Sequence, residues 1–136
     1  MSSFSPFVAA LHVFLGGGVG AVLRWQIGRA MTSWLGAPII SVFPFATLAA
    51  NAAGSLFMGL LAGWLARHGS GGSEQLRLLL GVGLLGGFTT FSAFSLEMVL
   101  LIERGQYLFA LLYAFLSIAL GITGLMVGLG VMRMAG

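Results

Sequence analysis

No charged residue stands between Arg29 and Arg67, nor between Arg104 and Arg133, and the residues in between are mostly apolar. Runs like these leave a chain few options. A helix of about 20 apolar residues spans the hydrocarbon of a bilayer. Lipid offers the backbone no hydrogen-bond partners, so a spanning segment must satisfy its own, as a helix does. With 59% hydrophobic and 7% charged residues, the 136-residue chain has too little polar surface to coat a soluble domain. It reads as an all-α integral membrane protein, with residues 1–136 forming one four-helix domain.

The spans fall at about 7–30, 42–66, 76–102 and 107–132. Gly36 and Pro38 mark 31–41 as a loop, and the glycine- and serine-rich RHGSGGSEQ over 67–75 marks another. Only ERGQ, residues 103–106, joins the last two spans, which forces an antiparallel hairpin. The first residues carry no basic stretch and no small-residue cleavage pattern, so a cleavable signal peptide is not expected.

An even number of spans puts both termini and the second loop on one side. That side holds Arg67, Arg77 and Arg133, and the other holds Arg24, Arg29 and Arg104. Orientation is normally set by an excess of Lys and Arg on the cytoplasmic side. The balance here permits insertion in both orientations. Two copies paired in opposite orientations would reproduce the inverted repeat common in transport proteins. Small residues four apart, at Gly16/Gly20, Gly59/Gly63 and Gly124/Gly128, serve either packing within the chain or a subunit interface.

The third span contains GGFTTFSAFS, residues 86–95, where an unbroken helix would be the default. A break at membrane depth is tolerable only inside protein or beside a water-filled path, so it points to an ion site. Asn51 lies within the second span, where an amide needs partners or water. Thr47 and Ser55, each four residues away, share its helical face and extend a polar stripe. The fourth span repeats the spacing at Tyr113 and Ser117, while Gly121 ends the stripe without a polar side chain. Phe91 and Phe94 project from nearly one face beyond the break. Ring edges carry partial positive charge, so rings presented edge-on stabilise a small anion without the fixed charge that would trap it.

Other chemistries find no support. Cysteine is absent, which removes disulfides and thiolate metal sites, and the absence of lysine removes a phosphate-binding loop. GGGVGA at 16–21 imitates a dinucleotide fingerprint but lies in an apolar helix without the required acid. His12 and His68 lack partner ligands in register. The arginines are scattered singly, which argues against nucleic acid. No nucleophile elbow is present and no enzyme activity is expected.

Three segments, GGVGAVLR at 17–24, FATLAANAAGS at 45–55 and GGFTTFSAFSLE at 86–97, together resemble the Fluc family of fluoride channels, also called CrcB. The resemblance covers all four spans. It implies an antiparallel, dual-topology homodimer with two fluoride pathways in a bacterial-type plasma (inner) membrane, passively exporting fluoride and lowering its toxicity. Asn51 then matches the pore-facing asparagine, Phe91 and Phe94 the paired rings that contact fluoride, and Tyr113 and Ser117 the polar track; the stripe that Thr47 shares with Asn51 adds Thr47 to the pathway. Arg24 matches a vestibule arginine. Gly86 and Thr89 match the break whose backbone carbonyls hold a structural sodium ion on the dimer axis. The rival reading is a small dual-topology multidrug exporter, which needs a proton-coupled carboxylate within a span. Glu74 and Glu103 border loops and Glu97 sits nearer the vestibule end of its helix, so none fills that role well.

Overall fold

A computed structural model describes residues 5–69 and 72–136, so the first four residues of the domain and Ser70 and Gly71 of the 67–75 loop lie outside the described residues. Four long apolar helices cross the structure, at Pro6–Leu35, Phe45–His68, Ser73–Glu103 and Tyr107–Met134.

Helix α1, Pro6–Leu35, starts with Ser5, whose hydroxyl accepts from the Val8 N–H at 3.3 Å, and with Pro6 in its first turn. It runs five residues past the expected end at 30. Gly36 then turns the chain at φ 92°, and α2, Ala37–Val42, follows with Pro38 in its first turn. The expected loop at 31–41 is therefore mostly helical. Glycine just past a helix end and proline just inside the next are helix punctuation as readily as loop chemistry. Phe43 and Pro44 separate α2 from α3, Phe45–His68, which begins three residues later than expected at 42.

The third span is assembled from pieces. Short helix α4, Ser73–Leu76, leads into a π-helical segment, Arg77–Leu85, and then α5, Gly86–Phe88. After Thr89 and Thr90 the chain resumes as α6, Phe91–Glu103. Nothing in the sequence signalled the π segment, whose wider turns carry the Gly86 N–H back to the Gly81 carbonyl. Gly105, at φ 72°, reverses the chain into α7, Tyr107–Met134, as the short hairpin requires.

Packing pairs α3 with α7, and α1 with the π segment and α5. Between membrane helices the drive is close van der Waals packing, which small residues permit. A β-carbon on Gly59 would overlap the Leu125 carbonyl, and one on Gly128 the Leu56 carbonyl. One on Gly16 or Gly20 would overlap the Leu79 or Leu84 carbonyl. Gly63 meets Met132, and Gly124 meets the backbone of Ala52 and Leu56. All three small-residue pairs are thus used within the chain. Arg67 donates to the Arg133 carbonyl at one end of the bundle, and Arg104 to the Ser41 carbonyl at the other.

The core gathers around Tyr113, which is wholly buried with Phe43, Leu48, Leu101 and Ala110 and flanked by Phe94, Met98, Phe109 and Leu116. Large apolar side chains such as Phe14, Trp34, Leu111 and Phe115 remain exposed, as residues that face lipid should be.

Candidate ion pathway

The interruption of the third helix is only two residues long. Thr89 (φ −85°, ψ 155°) and Thr90 (φ −151°, ψ 120°) are extended, while Gly86 and Gly87, at the start of the stretch expected to hold the break, are still helical. Asn51 of α3 spans the gap. Its Oδ1 accepts from the Thr90 N–H at 2.8 Å, and its Nδ2 donates to the Thr90 carbonyl at 3.2 Å. The amide therefore stands in for the missing helical turn at a half-buried backbone pair.

Two of the carbonyls before the gap are partnered. Leu85 accepts from both the N–H and the hydroxyl of Thr89, and Gly87 accepts from Arg24 Nε at 3.4 Å. An unbroken helix would give the Thr90 N–H to Gly86 and the Ala93 N–H to Thr89. Here the first goes to Asn51 and the second to the Thr90 hydroxyl at 3.2 Å, which caps α6. The Gly86 and Thr89 carbonyls thus lose their i+4 donors. Gly86 is exposed and Thr89 half-buried.

Beside the break lies a groove of about 330 Å³ lined by Asn51, Ser55, Thr89, Thr90, Phe91, Phe94, Ser117, Ile118 and Gly121. Ser117 Oγ is buried without a hydrogen-bond partner. Asn51 Nδ2 keeps a second N–H beyond the one given to Thr90. The Phe91 and Phe94 ring centroids are 5.8 Å apart, and Phe91 is 79% exposed. Four of the six residues expected along the pathway are thus brought together, with Ser55 added.

Thr47 and Tyr113 are placed elsewhere. The Thr47 hydroxyl donates to Glu97 Oε1 at 2.7 Å and the Tyr113 hydroxyl to Glu97 Oε2 at 2.6 Å. The Tyr113 ring packs edge-on against Phe43, centroids 5.6 Å apart, and tilted by 36° against Phe94 at 5.0 Å. The polar stripe on α3 is therefore divided, with Asn51 and Ser55 on the groove and Thr47 on a second chamber. That chamber, about 640 Å³, is also lined by Arg24, Arg29, Thr32, Ser33 and Glu97. Arg29 lies over the Trp25 ring at 5.1 Å. Because α1 extends to Leu35, Arg24 stands eleven residues from its end, about 16 Å along the axis at the rise of an α-helix.

Glu97, weighed in the sequence only as a carboxylate for an exporter, is where Thr47 and Tyr113 converge. Its signal was its spacing from Phe94, three residues back and hence on the same helical face, which Tyr113 and Thr47 also meet. His12 and His68 bond to carbonyls of their own helices, Val8 and Trp64, and no cluster of metal-ligating side chains occurs among the described residues.

Four helices long and apolar enough to span a membrane, the third of them interrupted beside a polar groove, define a multi-pass membrane protein. The family model described as CrcB-like protein, Camphor Resistance (CrcB), matches residues 11–129, and the chain belongs to that family. A protein of Erythrobacter litoralis named fluoride-specific ion channel FluC is 59% identical over 134 residues, covering 98% of each chain. A protein of the same name from Novosphingobium aromaticivorans is 58% identical over 125 residues, covering 92% of this chain and 96% of its own. Another from Phenylobacterium zucineum is 51% identical over 121 residues, covering 89% and 92%.

Proposed function

We propose that this protein is a fluoride channel that lets fluoride leave the cytoplasm down its gradient, limiting its toxicity. The reading rests on family membership and on the names of its relatives, and one feature of the chain supports it most: an unpartnered, buried Ser117 hydroxyl beside Asn51, Phe91 and Phe94. Fluoride is small and strongly hydrated. A pathway that admits it must replace its water closely, yet bind weakly enough for release. The Ser117 hydroxyl and the uncommitted Asn51 N–H supply donors, and the ring edges of Phe91 and Phe94 supply partial positive charge. Arg24 and Arg29 attract anions into the chamber that they line. Thr47 and Tyr113 act at one remove, by holding Glu97 and the wall behind Phe94.

The working unit is an antiparallel, dual-topology homodimer in the bacterial inner membrane, favoured by arginines balanced three against three. The Gly86 and Thr89 carbonyls, deprived of their helical donors, suit a weakly bound monovalent cation, and those of two subunits would together hold a structural sodium ion. When bound, that ion supplies positive charge that ties the carbonyls of the two breaks together.

The test is efflux from liposomes holding the purified protein, read with a fluoride electrode and repeated with chloride and with a cationic dye. Rapid fluoride release with chloride retained is expected. Dye transport without fluoride release would overturn the reading in favour of a drug exporter.

A further inference from the structure

Helix propensity would place a break in the third helix at Gly86–Gly87, since glycine is the weaker helix former. The break falls instead on Thr89 and Thr90, opposite Asn51. Its cause is therefore a partner outside the helix. Asn51 takes both backbone groups of Thr90, at 2.8 and 3.2 Å, and so removes the donor that a continuous helix would give Gly86. Thr90, held extended, turns its hydroxyl to the Ala93 N–H and so removes the donor due to Thr89. Gly54, one turn along α3 from Asn51, lets the two helices approach this closely, because a β-carbon there would overlap the Thr89 methyl.

We propose that Asn51 is the positioning residue of the cation site, its amide holding Thr90 so that the Gly86 and Thr89 carbonyls are freed as ligands. This rests on the sodium reading above and assigns Asn51 a role distinct from its place along the fluoride groove.

The experiment measures thermal unfolding of the purified protein in detergent without fluoride, as sodium replaces N-methylglucamine. Asn51→Leu, close in size, removes both hydrogen bonds. The sodium concentration giving half the stabilisation should rise about tenfold, the equivalent of one to two hydrogen bonds of lost preorganisation. With fluoride absent, a role confined to the anion path leaves this curve unmoved. An Asn51→Leu protein with the wild-type sodium curve overturns the proposal alone, whereas a wild-type midpoint indifferent to sodium overturns the sodium reading and the proposal with it. A second measurement needs no variant: in the wild-type protein, amide exchange over residues 86–93 should slow when sodium is present. Identical exchange with and without sodium also overturns the proposal.

Discussion

Removing the Tyr113 hydroxyl tests whether the Glu97 cluster joins the two halves of the bundle. Tyr113→Phe deletes the 2.6 Å bond to Glu97 Oε2 while leaving the ring against Phe43 and Phe94. Glu97 keeps its 2.7 Å bond from Thr47. Hydrogen bonds between membrane helices average about 0.6 kcal/mol and reach about 1.7. Those to charged groups in proteins generally lie at about 1.5–3 kcal/mol. Tyr113 is fully buried and its bond is short, so the expected coupling between Tyr113 and Glu97 is about 1.5 kcal/mol, where the two ranges meet. The assay is a double-mutant cycle of Tyr113→Phe and Glu97→Gln, read as unfolding free energy in mixed micelles. Fluoride flux through Tyr113→Phe should stay within about twofold, because the ring that backs Phe94 is unchanged. A coupling below about 0.5 kcal/mol, the scatter expected of independent sites, would refute the cluster as an energetic link. Flux abolished in a fully folded Tyr113→Phe protein would place the hydroxyl on the pathway itself.

Ser117→Ala should cut fluoride flux about tenfold, one hydrogen bond's worth. Its stability should stay within about 0.5 kcal/mol, because the hydroxyl has no partner to lose. Phe91→Ile or Phe94→Ile keeps the groove apolar but removes the ring edges, and flux in either should fall at least about tenfold with the dimer intact by size-exclusion chromatography. Gly128→Val drives a side chain into the Leu56 carbonyl and should cost about 3 kcal/mol or more, seen as loss of folded protein from membranes. Single cysteines at Gly72 and Glu103, both exposed, should each label from both sides of the membrane; labelling from one side only would refute dual topology.

Apolar run length and the spacing of charges determined the class and the four spans, because lipid permits a helix and little else. Asn51, Phe91, Phe94 and Ser117 were legible for a related reason. A polar or aromatic residue on one face of an apolar helix stands out by period alone, and the four do share one groove. Periodicity says which face a residue occupies but not what lies across from it. It therefore joined Thr47 to Asn51, where the fold turns Thr47 toward Glu97, and it left the small-residue pairs open between two uses that the packing of α1 and α7 settled. The same limit left the break spread over Gly86 to Thr90, where the structure confines it to Thr89 and Thr90. Glycine is the weak point of an isolated helix, but in the assembled bundle the break belongs to the residues whose backbone another helix can satisfy. Asn51 offers a donor and an acceptor at Thr90, and only the tertiary structure brings them there.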